Sequence, residues 1–304
     1  MSARRVLPGV RGCFIIRTMR RLLFTFVALL CATATAIAQP RDSTLRLLQL
    51  DVGQGDAALV ITPENRTLLI DGGRHPRDIA AMLTALGIDT LHLVVASHAH
   101  ADHIGGLPAV LATFPVQAYL DNGIPYTTSV YRRTLAAVER SGARYLGATS
   151  RTLALGSLTV RVLPPPFRDD QNNGSVGLLL EFGEFRALYT GDSERFALDA
   201  WLRRESVPNV TLVKVAHHGA RNGSSPAWVA ATRPRIALIS VGLNAYGHPA
   251  REVEWMWSTS GARVYRTDQQ GSIEIVASRD GRVVLRTDTG VTDSLATRVA
   301  EREP

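Results

Sequence analysis

Cysteine is nearly absent from this 304-residue sequence, which contains only Cys13 and Cys31. Both lie in an N-terminal segment, residues 1–38, that has the composition of a cleaved leader. We therefore expect the remaining chain to have no disulfide and no thiolate, so that its apolar core alone must stabilise it. The sequence also lacks the pattern G-x-S-x-G. Covalent catalysis by a cysteine, or by a serine of that motif, is left without support.

Without the leader, the chain also has almost no net charge and no long apolar run. The formal net charge is +7, but six arginines and no acidic residue lie in residues 1–38, which leaves the rest of the chain at +1. The basic character is therefore no argument for a nucleic-acid partner. Beyond the leader there is no low-complexity linker, no tandem repeat and no apolar stretch long enough to span a bilayer. We expect no membrane span after the leader is removed.

Aromatic residues are few, at 6% of the chain. The four tryptophans, which all fall in helical patterns, are Trp201, Trp228, Trp255 and Trp257. We predict that they pack in the core and do not stack on nucleic-acid bases.

The leader is centred on residues 19–39, MRRLLFTFVALLCATATAIAQ. Two arginines precede an apolar run, and small residues follow at Ala36 and Ala38. This order predicts a secretory signal peptide cleaved after Ala38, with Met19 as an alternative start of translation. An uncleaved membrane anchor is the alternative, but the apolar run is short for a bilayer span. The pattern predicts a periplasmic or secreted protein, and it leaves the oligomeric state open.

After the leader, short runs of β-forming residues alternate with helical patterns. The first three runs, within residues 45–73, are separated by turn-forming residues and predict an antiparallel meander. We interpret residues 44–288 as one domain of two β-rich halves, joined near the three prolines 164–166. The prediction is an α/β protein of the α+β type, with two facing sheets covered by helices on their outer sides. Residues 289–304 are predicted to form a flexible tail.

Four potential metal ligands lie in the stretch SHAHADHIGG, residues 97–106, directly after a continuous apolar strand. They are His98, His100, Asp102 and His103. Imidazole and carboxylate groups are suited to Zn²⁺ and Mn²⁺, and their clustering on one turn lets a single loop serve two neighbouring ions. The alternative, a solvated histidine-rich loop, does not account for this spacing at a strand end. We predict two divalent metal ions, Zn or Mn.

Three further candidate ligands follow later strands. Asp192 comes after the strand FRALYT and a glycine. It has the alternative role of capping the helix that follows, although Ser193 is also available as a cap. His217 and His218 follow the strand VTLVKVA. Because adjacent residues of an extended chain point to opposite sides, we expect one of the two to bind metal and the other to face substrate or to contact a metal ligand. The sequence does not decide which of the two is the ligand.

These motifs and several others give the chain a family resemblance over residues 45–287. In order along the sequence they are LDVGQGDA (50–57), LLIDGG (68–73), SHAHADHIGG (97–106), NNGSVGLLLEF (172–182), LYTGD (188–192), VAHHGARNGSS (215–225) and ISVGLNAYGHP (239–249). The chain resembles hydrolases of the metallo-β-lactamase fold, and within them the soluble hydrolase domain of ComEC-type DNA-uptake proteins. The resemblance implies an αββα four-layer sandwich in which Asp192 bridges two metal ions.

The chain departs from this family at residues 172–175. Most members have there a histidine that completes the ligands of the first metal, whereas this chain has Asn172, Asn173 and Ser175. An amide oxygen is a weaker ligand than imidazole, so we expect one metal to be held less tightly. The alternative is an ordinary Asn-Asn-Gly turn, and the sequence does not decide which asparagine replaces the histidine.

Other polar residues also lie at predicted strand ends. We interpret Asp71 as a residue that fixes a tight turn, and Asp56 as one that orients a ligand histidine or faces substrate. Asn244 and His248 lie together in a later loop. His248 is a candidate proton donor or phosphate contact, with a simple His-Pro turn as the alternative. The candidate catalytic residues are therefore Asp102, Asn244 and His248.

The ligand pattern predicts hydrolysis by a hydroxide that bridges two metal ions, because their charge lowers the pKa of water and stabilises the transition state. The resemblance favours a phosphodiesterase or nuclease that acts on a small-molecule or nucleic-acid phosphodiester. One alternative is a lactonase or β-lactamase-type hydrolase of the same fold. Another is a metal-binding protein without catalysis, against which the nearly complete ligand set argues.

Overall fold

The computed structural model describes residues 43–205 and 207–296, without the side chains of residues 76 and 77. The predicted signal peptide, its cleavage site and residues 297–304 of the predicted tail lie outside the described residues. Within the described part of the chain, no helix combines the length and the apolar composition needed to cross a membrane.

The strands of the described residues form two sheets. The first has nine strands: β1 (Thr44–Gln49), β2 (Ala58–Ile61), β3 (Thr67–Ile70), β4 (Leu93–Val95), β5 (Ala118–Asp121), β6 (Arg144–Gly147), β14 (Ile273–Ser278), β15 (Val283–Thr287) and β16 (Thr292–Leu295). The second has seven: β7 (Arg151–Leu155), β8 (Leu158–Leu163), β9 (Gly177–Phe182), β10 (Phe185–Tyr189), β11 (Leu212–Lys214), β12 (Ile236–Ile239) and β13 (Arg263–Arg266).

Each sheet is antiparallel in one part and parallel in another. The spatial order of the first sheet is β16-β15-β14-β1-β2-β3-β4-β5-β6, and that of the second is β13-β12-β11-β10-β9-β8-β7. The predicted meander β1-β2-β3 is confirmed, because both of its pairings are antiparallel. The strands β3 to β6 are parallel, as are β10 to β13. Parallel strands all end at the same edge, so the loops that follow them meet there.

The helices lie mostly between the parallel strands. They are α1 (Pro76–Ala85), α2 (Ala101–Ile104), α3 (Leu107–Thr113), α4 (Ser129–Ser141), α5 (Arg195–Arg204), α6 (Pro226–Thr232), α7 (Arg251–Thr259) and α8 (Thr267–Gln270), with a 3-10 helix at Ala216–Gly219. Local sequence sets several of their ends. The Thr128 side chain accepts a hydrogen bond from the Tyr131 amide at the start of α4, and Gly142 ends that helix with a φ of 68°.

Three apolar layers show how the sheets and helices stack. A central cluster joins both sheets, with Leu47 of β1 and Leu180 of β9 fully buried in it. A second cluster packs the first sheet against helices through residues such as Leu107 of α3. A third packs the second sheet against helices through Leu198 of α5 and Trp257 of α7. The prediction of two facing sheets covered by helices, an αββα sandwich, is confirmed.

The predicted positions of the tryptophans need one correction. Trp201, Trp228 and Trp257 are at most 1% exposed, as predicted for packing residues. Trp255 is 68% exposed, and the prediction that it packs in the core is wrong. Trp255 and Trp257 are two positions apart on α7, so a rotation of about 200° around the helix axis separates them and their side chains leave nearly opposite faces.

The predicted flexible tail also needs correction. Within residues 289–304, the strand β16 pairs antiparallel with β15, and its Leu295 is only 9% exposed in the central cluster. The segment TDSL shows no alternation of apolar residues that would predict a strand. It forms one because the free edge of β15 supplies backbone partners. The described structure therefore extends the folded domain beyond residue 288.

Candidate metal centre

The predicted ligands meet at the edge where the parallel strands end. In the first sheet, β4 leads to His98, and the short helix α2 presents Asp102 and His103. In the second sheet, β10 ends shortly before Asp192, and β11 leads into the 3-10 helix that carries the adjacent pair of histidines. Segments that are distant in sequence therefore supply a single site.

Asp192 is the centre of this site. Its Oδ2 atom lies 3.2 Å from Nε2 of His103 and 3.3 Å from Nε2 of His218. The same oxygen lies 3.9 Å from Nε2 of His98 and 3.9 Å from Nε2 of His217. One buried carboxylate oxygen thus faces four imidazole nitrogens, an arrangement suited to a carboxylate shared by two metal ions.

Ser193 does not cap the neighbouring helix, contrary to expectation. The N-cap of α5 is Glu194, which makes no side-chain cap bond. Ser193 lies one residue earlier and is fully buried, and its Oγ has no hydrogen-bond partner among the described residues. The position before the cap directs this side chain inward, away from the free amides of the helix.

Asp71 fixes the orientation of His103. One oxygen of Asp71 lies 2.8 Å from Nδ1 of His103, and the carboxylate also accepts hydrogen bonds from the amide and the hydroxyl of Ser97, each at 2.7 Å. With Nδ1 engaged, Nε2 of His103 is directed toward Asp192. Asp71 has a φ of 58°, in keeping with its predicted place in a tight turn. We predicted that Asp56 would orient a ligand histidine. At His103 it is Asp71 that has this role.

The adjacent histidines do not lie on an extended chain. His217 and His218 both have a φ of 52°, in the left-handed region, so the rule of opposite sides does not apply to them. Nδ1 of His218 lies 2.9 Å from the carbonyl oxygen of Ser240, and the His218 ring is buried. His217 remains partly exposed at the rim. The geometry favours His218 as the ligand, although Nε2 of His217 also faces Asp192.

His98 and His100 form a second pair of candidate ligands. Nε2 of His98 and Nδ1 of His100 lie 3.0 Å apart, so both nitrogens converge on one point. Burial, helped by His103, holds the pKa of His98 well below its usual value. The ring is therefore neutral at pH 7, as a metal ligand must be. Ser175 lies behind it, with its Oγ 3.4 Å from Nδ1 of His98 and accepting a hydrogen bond from the Asp192 amide.

The two asparagines have different environments. Asn172 lines the cavity at the site, and its Oδ1 is buried without a hydrogen-bond partner among the described residues. Asn173 is occupied elsewhere, because its amide nitrogen donates to Asp170 and its oxygen accepts from the Glu194 amide. Asn172 is thus the better candidate for the position of the absent histidine.

Asp56 and Lys214 form a buried ion pair that the sequence did not reveal. Nζ of Lys214 donates to Oδ2 of Asp56, and Lys214 is 1% exposed. Burial raises the pKa of Asp56, but Lys214, followed by His218, outweighs this effect and lowers it to about 2. Asp56 lies 3.6 Å from Nδ1 of His103 and 3.5 Å from Nδ1 of His218. It therefore stands behind these rings, on the side away from Asp192.

The donor set fits a divalent metal ion. Asp56, His103, Asp192 and His218 offer ligand atoms that all lie within 4.8 Å of one another. The Nε2 atoms of His103 and His218 and the Oδ1 atom of Asp192 are buried and have no hydrogen-bond partner among the described residues. Unpaired buried polar atoms destabilise a protein, and a bound cation would satisfy them. Of the other three residues, Asp56 is the one least directed toward Asp192.

The charges at the site also favour a cation. Burial opposes protonation of His103 and His218, but Asp192 outweighs it and raises the pKa of both well above the usual value. Burial likewise raises the pKa of Asp102, but the His218 imidazole, whose Nε2 lies 3.6 Å from Oδ2 of Asp102, reverses the shift and lowers this pKa. The carboxylates therefore draw positive charge to this point, either as protons on the rings or as metal ions.

Asn244 shapes the loop that carries His248. Its Nδ2 donates to the carbonyl oxygens of Gly242 and His248, and its Oδ1 accepts from the amides of Tyr246 and His248. Both polar atoms of the Asn244 side chain are thus engaged with the backbone of its own loop. These contacts do not support the predicted catalytic role of Asn244. His248 does face the site. Burial, with help from His217, lowers the pKa of His248 to about 4.

The glycines of the motif permit close contact between loops. A Cβ atom on Gly105 would lie 2.1 Å from the carbonyl oxygen of Arg74, and one on Gly106 would lie 2.1 Å from that of Gly72. The Gly72 amide donates to the carbonyl oxygen of His103 at 2.6 Å. The turn at residues 71–74 is thus pressed against α2 and helps to hold the candidate ligands in place.

The site opens into a cavity of about 400 Å³. Its walls include His100, Asp102, His217 and His248 from the predicted set. They also include residues that sequence reasoning missed, namely Gln54, Arg74, Tyr126 and Tyr246. Gln54 and Tyr246 lie within quoted motifs and Arg74 directly follows one, but nothing in their own spacing marks them as residues of the site.

Comparisons with known proteins agree with this geometry. A family profile described as Metallo-beta-lactamase superfamily matches residues 50–242. ComE operon protein 3 of Bacillus subtilis (strain 168) is 30% identical over 250 residues, which cover 74% of this chain and 32% of that protein. Competence protein ComA of Neisseria gonorrhoeae is 30% identical over 238 residues, which cover 76% of this chain and 32% of that protein. The matched region is therefore about a third of each relative.

A solved structure shows the same fold. The metallo-beta-lactamase fold protein YhfI from Bacillus subtilis matches with a TM-score of 0.51 and 12% identity, over 77% of this chain and 100% of that chain. The predicted resemblance to the metallo-β-lactamase fold and to ComEC-like competence proteins is confirmed. The chain belongs to the metallo-beta-lactamase superfamily, whose fold is that of metal-dependent hydrolases.

Proposed function

We propose that this protein is an exported phosphodiesterase that uses two divalent metal ions, Zn or Mn. The observation that carries the proposal is the position of Asp192 Oδ2, which lies within 3.9 Å of the Nε2 atoms of four histidines. Divalent ions held there would lower the pKa of bound water and would neutralise charge that develops on the substrate. His98 and His100 would hold one ion, His103 and His218 the other, and Asp192 both.

The weaker donor at one side of the site favours a phosphodiester. Asn172 offers an amide oxygen where the family resemblance implies a histidine, and this oxygen has no other partner among the described residues. A site with weaker protein ligands favours a substrate that brings its own anionic oxygens. A phosphodiester has two such oxygens, whereas a lactone or a β-lactam offers a neutral carbonyl.

His248 and His217 are placed to contact the phosphoryl group. Both line the cavity beside Asp192, with their ring centroids 5.4 Å apart. Because the pKa of His248 is lowered to about 4, its ring is neutral near pH 7. A neutral imidazole donates one N–H to an anionic oxygen, so we assign His248 to binding of a phosphoryl oxygen in preference to donation of a proton.

The chain resembles ComEC-type DNA-uptake proteins, and its similarity to Competence protein ComA agrees with that resemblance. The resemblance supports a nucleic-acid phosphodiester as one substrate class. Small-molecule phosphodiesters form the other class. The leader-like sequence at residues 1–38 supports a periplasmic or secreted location for the protein.

A substrate comparison tests the function. Purified protein is loaded separately with Mn²⁺ and Zn²⁺ and is offered a 4-nitrophenyl phosphodiester, a lactone and a chromogenic β-lactam. We expect phosphodiester hydrolysis to exceed the other two by at least a hundredfold, and we expect Asp192→Asn to abolish it. Hydrolysis of the lactone or the β-lactam alone would establish the alternative hydrolase, and a protein that binds no metal in either loading would not be an enzyme of this kind.

A further inference from the structure

A second and larger cavity adjoins the metal centre. Its volume is about 680 Å³, compared with about 400 Å³ for the cavity at the centre itself. Gln54, Arg74 and Tyr246 line both cavities, so the two meet along these side chains. A substrate whose phosphoryl group lies at the metal centre would therefore place one of its two ester groups in the second cavity.

Arg74 supplies a positive charge where the cavities meet. Its side chain is exposed and makes no hydrogen bond or ion pair with the residues that the structure describes. Its backbone is fixed, because its carbonyl oxygen lies against Gly105 of the ligand motif. A guanidinium that is free of partners and lies beside a metal centre is suited to an anionic phosphoryl oxygen.

Tyr246 supplies an aromatic surface at the same place. The Tyr246 ring is 68% exposed, and it stacks on the His248 ring with centroids 5.6 Å apart and planes inclined by 29°. The Asn244 side chain fixes the backbone of this loop by accepting a hydrogen bond from the Tyr246 amide. Leu243, which is fully exposed, adds apolar surface to the second cavity. A planar group that enters this cavity can stack on the ring.

The other charged residues of the second cavity argue against a continuing polyanion. Asp51 and Asp78 line it and are both exposed, and Arg74 and His75 are the basic residues among its described lining. Two carboxylates would repel another phosphate but would accept hydrogen bonds from hydroxyl and amino groups. These are the polar groups of a nucleoside.

From these contacts we infer that the second cavity binds the nucleoside next to the scissile phosphate, with no further phosphate beyond it. The base stacks on Tyr246, Arg74 contacts a phosphoryl oxygen, and Asp51 and Asp78 accept hydrogen bonds from the sugar or the base. The inference rests on the proposed phosphodiesterase function. It names the substrate class as a nucleotide diester with a terminal nucleoside at this position.

The test compares two chromogenic diesters with the same leaving group, thymidine 5′-(4-nitrophenyl phosphate) and methyl 4-nitrophenyl phosphate. We expect the wild-type enzyme to prefer the thymidine ester in kcat/KM, and Tyr246→Ala to reduce this preference about tenfold, mainly through KM. Tyr246→Phe should retain the preference because it keeps the ring. Trp255→Ala is the matched control, since Trp255 is also 68% exposed but lines neither cavity.

A second measurement tests the role of the carboxylates. Calorimetry on the metal-loaded protein compares binding of thymidine 5′-methyl phosphate with binding of the same compound bearing an added 3′-phosphate. We expect the added phosphate to weaken binding about tenfold, and the double variant Asp51→Asn, Asp78→Asn to remove most of this penalty.

The outcomes separate the two proposals. Equal wild-type hydrolysis of both esters, with no effect of Tyr246→Ala on their ratio, would overturn the nucleoside site and leave the phosphodiesterase standing. Tighter binding of the compound with the added phosphate would also overturn the nucleoside site, and would favour passage of a polynucleotide strand. Hydrolysis of neither ester would overturn both proposals.

Discussion

Lys214 and Asp56 form a buried ion pair directly behind the histidines of the metal centre. Both residues are at most 5% exposed, and Nζ of Lys214 also lies 3.9 Å from Oδ1 of Asp192. The lysine thus stands between two carboxylates that belong to the same charged cluster. An isolated buried charge is far less stable than a paired one, so each member of the pair depends on the other.

We predict that Lys214→Met strongly destabilises the protein. The substitution keeps most of the apolar stem but leaves Asp56 as a buried charge without its cation. Loss of one partner of a buried pair costs about 3–5 kcal/mol. The free energy of unfolding is measured by urea denaturation in the presence of a chelator, so that metal binding does not contribute.

Arg221→Gln is the control for this experiment. Arg221 pairs with Glu252 at the surface, where both side chains are exposed, and a surface pair contributes about 0–1 kcal/mol. A loss for Lys214→Met no larger than that of the control would show that Asp56 is neutral or solvated in the folded protein.

Asp192→Asn should remove metal and activity together. A neutral amide attracts cations less strongly than a carboxylate does, and Oδ2 of Asp192 is the atom that the four histidine nitrogens share. We expect the variant to lose at least one metal equivalent by elemental analysis. Asp89→Asn, at an exposed position, should retain full metal content. Full occupancy in Asp192→Asn would mean that the carboxylate does not bridge the ions.

The parts of the site that follow local patterns were predictable, and the long-range contacts were not. The motif from His98 to His103 and the position of Asp192 after a strand are local features, and the structure brings them together. The pairing of Lys214 with Asp56 joins residues 158 positions apart, and no spacing rule predicts it. The left-handed backbone of His218 was missed because the pattern there indicates only that a strand ends.

Metal removal should lower the thermal stability of the wild-type protein. The ligand atoms at the centre are buried and lack partners, and an ion bound only to the folded state stabilises it by RT ln(1 + [L]/Kd), or about 4 kcal/mol at a thousandfold excess over Kd. We expect the melting temperature to fall by several degrees after dialysis against a chelator, and to recover on addition of Mn²⁺ or Zn²⁺. The same treatment should lower the melting temperature of Asp192→Asn by less than that of the wild type, because the variant holds less metal.

Leu295→Ala tests whether β16 is part of the domain. Leu295 is 9% exposed and packs in the central cluster, and truncation of a buried leucine costs about 2–5 kcal/mol. We expect Leu295→Ala to lower the free energy of unfolding by an amount near the lower limit, because the strand lies at the edge of the sheet. Val291→Ala, at a position that is 45% exposed, should cost much less. Equal and negligible losses would restore the interpretation of this segment as a flexible tail.

Gly105→Ala should disturb the metal centre through the backbone alone. Gly105 caps α2 in a right-handed conformation that alanine adopts readily, with a φ of −58°, so the substitution adds no conformational strain. The added Cβ would nevertheless meet the carbonyl oxygens of Arg74 at 2.1 Å and Ala101 at 2.5 Å. Both contacts are with backbone atoms, which cannot turn aside as a flexible side chain does.

The turn at residues 71–74 must therefore move away from α2, and Asp71, which orients His103, lies in that turn. We expect Gly105→Ala to lose about 1–3 kcal/mol of stability, as overpacking usually does. Its metal affinity should fall at least tenfold, as expected when the partner that orients a ligand is displaced. Gly147→Ala is the control, because a Cβ at Gly147 meets no atom within 4 Å. If Gly105→Ala binds metal as tightly as the control does, close contact between the turn and α2 is not what positions the ligands.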